Sequence, residues 1–535
     1  MRPADSPTPP TNEEALLRAL FRVPGGARVL GIGFFLAAFG ACLDDKFLTF
    51  QFNPAEAHLA VCCVWLAILL WFDREPPFRR RLAVSLSAVA LTLLYSYCMR
   101  RLAGTYEERS VIHLAMWHSP ATFVWAAALW LASPIWLDRR AERCSPFFRW
   151  SVISLCLYGS LCFASAVSSP SHKGLRYFTA DRAVFLALMF AWLRAAQASP
   201  DFRSRGGRSV ACLLAAVAAI SAVIGVIDVL AGPALQQRLA SLSLIYVENP
   251  LAASVLPRRR LLFPMGHFNR TASLALVAIM VLLVSHFRQN KKGLLERYGA
   301  LFALPALLVI LLTYTRGAIV AALAGLCLWC ALAWRRMLIV LAAGSLIVAV
   351  CLPAAKRQYV LSAFRPSTYK SGLENMTTMK RRFLAWDWGL RQVRQHPFTG
   401  LGYGERVVMD AYRAYVTQTD TPENRAVLRS GEIIKHMHNI WLETAVESGG
   451  LAALALLAFC AARWALLLRN FLGAQGAARR RVAGWMGLEL SLLLFGMVFY
   501  PLKESYGLLY WMVWAYCLSE AEAVSRGQER KKAML

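Results

Sequence analysis

Apolar residues along this 535-residue chain gather in blocks of about twenty, separated by polar segments rich in arginine. About fourteen such blocks begin near positions 28, 56, 82, 119, 149, 177, 208, 271, 298, 316, 337, 439, 482 and 505, one or two of them suiting re-entrant or interfacial segments. At about 1.5 Å of rise per residue, a helix of that length crosses the roughly 30 Å hydrocarbon core of a bilayer. The runs are continuous and lack the ten-residue alternation of a membrane barrel, so the pattern predicts helices. The expected fold class is all-α: a polytopic integral membrane protein of about 12–14 transmembrane helices with one large external loop. The expected organisation is a cytoplasmic tail over 1–27, a bundle over 28–354 with an external loop near 232–269, a large external loop with amphipathic helices over 355–437, C-terminal transmembrane helices over 438–522 and a basic cytoplasmic tail over 523–535.

Composition agrees, at 58% hydrophobic residues, and the net charge of +28 adds topology. Basic clusters at Arg79 to Arg81, Arg139 and Arg140, Arg203, Arg205 and Arg208, Lys291 and Lys292 all fall on one side if the N-terminus is cytoplasmic. Those at Arg335 and Arg336, Arg479 to Arg481, and Lys531 and Lys532 follow the same rule, as positive-inside insertion requires. The charge is therefore explained without nucleic acid. Met1 to Asn12 is polar and Pro-rich, without the basic start or cleavage site of a secretory signal, so the first span is expected to act as the targeting signal. The 13 cysteines lie mostly within apolar blocks. Cys327-x-x-Cys330, with no second pair, reads as packing rather than zinc or redox chemistry, and no disulfide framework is expected. No fixed-period repeat or inverted duplication stands out, against a repeat-built transporter.

Basic residues on the external side oppose the insertion bias and need another reason. Arg258, Arg259 and Arg260 stand in the first external segment, Arg270 opens the next span, and Arg316 opens another within Thr313-Tyr314-Thr315-Arg316-Gly317-Ala318. Lys380, Arg381 and Arg382 lie in a stretch, Met379 to Val393, whose Trp386, Trp388 and Leu390 form an apolar stripe. Two arrangements suit that stretch: a helix lying on the membrane surface, or a solvated helix packed on its neighbours. An arginine near hydrocarbon costs roughly 2.5 to 3.5 kcal/mol, which a partner anion repays. Guanidinium groups bind phosphate bidentately and stay charged, so Arg260, Arg270 and Arg316 are candidates to grip a lipid-linked diphosphate. Arg258 and Arg259 suit snorkelling to headgroups.

The second external loop re-enters the apolar pattern at His438-Asn439, which precede Gly449. An ionisable imidazole at such a junction points to chemistry or transport. With helical spacing, Asn439, Glu443 and Glu447 share a face while His436 and His438 point apart, which argues against a helical two-histidine metal site.

Three stretches resemble the O-antigen ligase and O-antigen polymerase superfamily of bacterial inner-membrane glycosyltransferases. They are Thr315-Arg316-Gly317-Ala318, the segment Gln395-His396-Pro397-Phe398-Thr399-Gly400-Leu401-Gly402-Tyr403-Gly404, and His438-Asn439 with Gly449. Ala452 stands where the ligase pattern has Gly, Thr or Tyr. Arg260 and Gly266-His267-Phe268-Asn269-Arg270 resemble the family's other basic site less closely, and the motifs together run from about 260 to 455.

The resemblance implies a GT-C-like fold in the bacterial inner membrane, with its active site facing the periplasm. It implies transfer of polysaccharide from an undecaprenyl-diphosphate-linked donor to a sugar hydroxyl, on the lipid A core in the ligase case. Membrane lipids are the remaining partners. On this reading His438, with an ordinary pKa of about 6.5, takes the acceptor's proton, and Asn439 or Glu443 orients its ring. Arg316, with Arg260 or Arg270, stabilises the departing diphosphate, and His267 and Arg382 join the binding set. The arginines replace a divalent cation, so neither metal nor cofactor is expected. Alternatives are a polymerase, a protein O-oligosaccharyltransferase, and a transporter of lipid-linked glycan that makes no bond.

Overall fold

A computed structural model describes residues 119–133, 144–169, 178, 182–198, 200–230, 233–242, 244–248, 258–265, 267–286, 294–333, 339, 378–430, 433, 436–500, 502 and 504–534. The spans expected near 28, 56, 82 and 337 lie outside these residues, as does loop segment 355–377. The helices of the bundle are α1 (Ser119–Ala132), α2 (Pro146–Ser168), α3 (Val184–Ala198) and α4 (Pro200–Leu230). After α5 (Pro233–Ser241) and strands β1 (Ile245–Glu248) and β2 (Arg258–Leu261) come α6 (Phe268–His286), α7 (Leu294–Thr313) and α8 (Arg316–Ala333). The loop helices α9 (Thr378–Gln395), α10 (Glu405–Gln418) and α11 (Pro422–Ser430) precede the short α12 (Ile440–Ser448), and α13 (Gly450–Gly473), α14 (Gly476–Gly496) and α15 (Glu504–Met534) close the chain.

Among the described residues, Pro146–Ser168, Gly206–Leu230, Phe268–His286, Arg316–Ala333 and Gly450–Gly473 are long and apolar enough to cross a membrane. The protein is an all-α, multi-pass membrane protein. Its outward-facing side chains suit lipid: Trp150, Leu157, Val223, Leu301, Leu304, Leu454 and Leu457 are all exposed. Inside, small residues bring backbones together. Gly325 of α8 meets Gly487 and Ser491 of α14, and Ser491 Oγ donates to Ala321 O at 2.9 Å.

Polar contacts sort to the two ends of the bundle. At one end Arg203 and Arg481 flank Glu520 at 3.6 and 3.7 Å, Arg526 pairs with Glu522 at 3.0 Å, and Arg469 with Glu529 at 2.8 Å. The opposite end gathers the starts of α6, α8 and α13, the end of α14, and the loop helices. Between them lies a buried pair, Arg463 of α13 with Glu489 of α14, its guanidinium over Phe459 at 4.2 Å and Trp514 at 4.4 Å.

Two local departures from the sequence pattern matter. The segment near 232–269, expected to be external, contains an antiparallel strand pair, Ile245 opposite Leu261 and Tyr246 opposite Arg260, which three consecutive arginines did not signal. The block beginning at 439 is also not one helix. It breaks at Gly449, whose φ of +88° suits glycine and whose missing Cβ leaves room for Phe398 O.

The loop helices build a second small core from Ala385, Trp388, Val408, Tyr412, Val416, Val427, Met437 and Val446. Trp388 and Tyr412 meet edge to face at 5.1 Å. The stripe on α9 therefore packs on its neighbours through Trp388. Leu390, expected on that stripe, points outward with Phe383, because seven residues separate them and two helical turns return to nearly the same face.

Candidate active site

His438 stands immediately before α12, in a loop rather than a helix, with φ +52°. A non-glycine residue held in this left-handed region costs of order 1 to 3 kcal/mol, so the surrounding contacts must fix it. Three do. Glu443, fully buried on the first turn of α12, accepts from the backbone N–H of Met437. Trp386 Nε1 of α9 donates to Met437 O at 2.6 Å. Asn439 is the N-cap of α12, its Oδ1 accepting from Trp441 N at 3.0 Å and Leu442 N at 3.1 Å.

Asn439 or Glu443 was expected to orient the imidazole. The bonds from Trp441 and Leu442 N–H to Asn439 Oδ1 and from Met437 N–H to Glu443 hold the backbone on either side of it, and His438 Nδ1 is buried without a hydrogen-bond partner. His436 and His438 were expected to point apart, yet their rings meet edge to face with centroids 4.0 Å apart. The helical spacing argument fails there because residues 436–439 precede the helix. Among the described residues no three His, Cys, Asp or Glu side chains converge as a metal site would need.

The far end of α12 is held by the Gly-rich segment that precedes α10. Leu401 N donates to Val446 O at 2.8 Å, Gly402 N to Glu447 O at 3.2 Å, and Gly450 N to Pro397 O at 2.6 Å. Gly400, at φ +66°, has no room for a side chain, since a Cβ would lie 2.5 Å from Val446 O.

Around His438 the surroundings are cationic. Burial, then the Arg382 guanidinium, then His267 lower its pKa from 6.5 to about 3, so the imidazole is neutral at physiological pH. His267 Nδ1 accepts from Asn269 N at 3.2 Å. His267 stacks on Phe268 at 4.4 Å, and the Arg260 guanidinium covers Phe268 at 4.4 Å. Arg260, β2, His267 and α6 thus form one stacked wall.

Arg316 begins α8 at the same end of the bundle. Thr315 is tied to Asn269 at 3.4 Å, which sets Arg316 and Arg270 one residue to either side of a shared link. Gly317 packs against Val498, next to Met497, whose carbonyl receives Asn439 Nδ2 at 3.5 Å. The structure therefore brings Arg382 and His267 to bear directly on His438, reaches Arg260 through Phe268, and places Arg270 and Arg316 on the adjoining helix starts. Arg260, Arg270, Arg316 and Arg382 are all half-buried. Cys327 and Cys330 lie away from this end on α8, one exposed and one buried.

Sequence reasoning missed Arg182, which is fully buried near the site, and the Arg463–Glu489 pair. Each interrupts an apolar run with a charge, and that interruption was the available signal.

The fold and the site together define a multi-pass helical membrane protein with a histidine beside an arginine at one end of its bundle. Residues 300–457 match the family model described as O-antigen ligase, which supports the O-antigen ligase and polymerase superfamily for this chain. The match includes Arg316, Arg382, His438 and Asn439, while Arg260, His267 and Arg270 precede it. No curated protein sequence matches the chain.

Proposed function

We propose that the chain is an O-antigen ligase of the bacterial inner membrane. It transfers polysaccharide from undecaprenyl diphosphate to a sugar hydroxyl of the lipid A core at the periplasmic face, without a metal. The observation that carries this reading is the neutral His438 imidazole set beside Arg382, both within the stretch that matches O-antigen ligase.

In the proposed step the acceptor oxygen forms a bond to the anomeric carbon as the bond from that carbon to the diphosphate breaks. His438 takes the hydroxyl proton, and undecaprenyl diphosphate leaves with the electron pair. Arg316, aided by Arg260 or Arg270, offsets the charge that grows on the leaving group. An imidazole whose pKa is near 3 is a feeble base, but the donor is itself an anion. A unit negative charge about 6 Å away, at an effective dielectric of about 20, contributes about 3 kcal/mol, equal to about two pH units. Donor binding on this reading recovers more than half of the lost basicity of His438.

A polymerase would use the same donor and a second lipid-linked glycan as acceptor. Ala452, where the ligase pattern differs, favours that second reading only slightly, since it is fully buried in α13 and acts in helix packing. The deciding experiment incubates purified protein in nanodiscs with undecaprenyl-diphosphate-linked glycan and lipid A core, with chelator present. Glycan-modified core is the expected product. Longer lipid-linked glycan would assign the polymerase, a glycosylated protein the oligosaccharyltransferase, and translocation without a new bond the transporter. Loss of activity on chelation would overturn the metal-free account.

A further inference from the structure

Two straps hold α12, and both end on one side chain. The first is the segment 397–403, bonded to Val446, Glu447 and Gly450 and continuing into Tyr403. The second is the turn after α14, where Met497 O receives Asn439 Nδ2 and the chain continues to Tyr500 and Leu502. Arg182, two residues ahead of α3 and fully buried, meets both. Its Nη2 donates to Tyr500 Oη and its Nη1 to Leu502 O, while the guanidinium lies 5.7 Å from the Tyr403 ring centroid and 5.6 Å from that of Tyr500. Its Nε donates to Tyr158 Oη of α2 at 3.0 Å, and α2 also holds α12 directly, through Ser165 Oγ to Glu447 O at 2.6 Å.

We propose that Arg182 is a positioning residue for the transferase site: it joins the 397–403 segment, the 497–502 segment and α2 at one point, and so fixes α12 and the place of His438. The inference rests on reading His438 as the base. Only a planar fork of five donors reaches three oxygens in different directions while lying against aromatic rings; a lysine ammonium on a flexible stem does not. Arg182 touches no reacting atom on this account. Its effect passes through α12, where a displacement of about 1 Å costs on the order of a hundredfold in rate.

The test compares Arg182→Lys and Tyr403→Leu with the native protein, full length in nanodiscs, with His438→Ala as control. Two quantities are read: kcat and KM for undecaprenyl-diphosphate-linked glycan, and the pH profile of diethyl pyrocarbonate modification at His438, localised by mass spectrometry. The expected result for Arg182→Lys is a kcat reduced about tenfold or more with donor KM within about twofold, the split that marks lost alignment rather than lost binding. His438 in the same variant reacts faster, with its titration midpoint moved up towards 6.5; Tyr403→Leu shows the same pattern more weakly. A native kcat and a native modification profile in both variants would overturn the proposal. So would a loss of activity that only follows loss of folded protein, with the profile of the folded fraction unchanged. Full transfer by His438→Ala would instead overturn the reading of His438 as base, and the modification profile would still report whether Arg182 sets that residue's place.

Discussion

Arg463 and Arg382 share one bundle and live by different rules. Arg463 is almost fully buried midway along α13, paired with Glu489 and lying against two aromatic faces. Arg382 is half-buried at one end, beside a histidine whose protonation it opposes. The first cation has its desolvation offset by its own protein. The second acts on the imidazole it adjoins, and Arg260 and Arg316 are likewise half-buried at that end. The contrast separates an arginine held inside the bundle by a carboxylate from one at its end that the proposed function assigns to the donor, a distinction that charge counts along the sequence do not make.

The sharpest way to break this comparison is at the histidine. His438→Ala should lower transfer by about a hundredfold or more while the protein remains folded, measured by glycan transfer and thermal unfolding on the same preparation. Normal transfer by that variant would remove the base from the site. Next, Arg463→Met should destabilise by about 3 to 5 kcal/mol because it strands a buried carboxylate, whereas pairing it with Glu489→Leu should restore most of that loss. Thermal unfolding in detergent checks it; an active, fully stable single variant would place Arg463 with the ligand arginines instead.

Arg382→Gln should do the reverse, leaving stability nearly unchanged and weakening donor turnover by about tenfold. The effect that vanishes at physiological pH comes last. Between about pH 6.5 and 3 the unfolded chain protonates His438 while the folded protein does not, so stability falls as pH falls through that window, levels out below it, and is unaffected above it. His438→Asn should flatten that part of the stability profile relative to the native protein, and identical profiles would mean that the imidazole is not suppressed.

Much of this was legible in the sequence, for reasons that also explain the rest. Apolar runs give spans because a bilayer demands length and continuity, and α2, α4, α6 and α8 appear where those runs predict. His438-Asn439 was visible as a polar junction at the edge of such a run. The contact between His436 and His438 was not visible, because it depends on a positive φ at His438 rather than on a period. Glu443 was read as a partner for the ring, since spacing along a helix says nothing about the turn preceding it, where Met437 N–H claims the carboxylate. Arg182 lay hidden for a different reason: its acceptors come from residues up to 320 positions away in sequence.

The Gly449 break has a consequence for how this segment tolerates change. Between His438 and Gly450 each attachment is keyed to a particular residue: a carboxylate at 443, a cap at 439, carbonyls at 446 and 447, a glycine at 449. Removing or adding one residue turns everything beyond it by about 100° around the helix axis, so no shorter or longer version of the segment engages the same attachments. Substitutions here are negotiable one side chain at a time, but its length is a discrete quantity with a single working value, and insertion scanning would find it as a sharp gap in tolerance beside the surface helices α10 and α11.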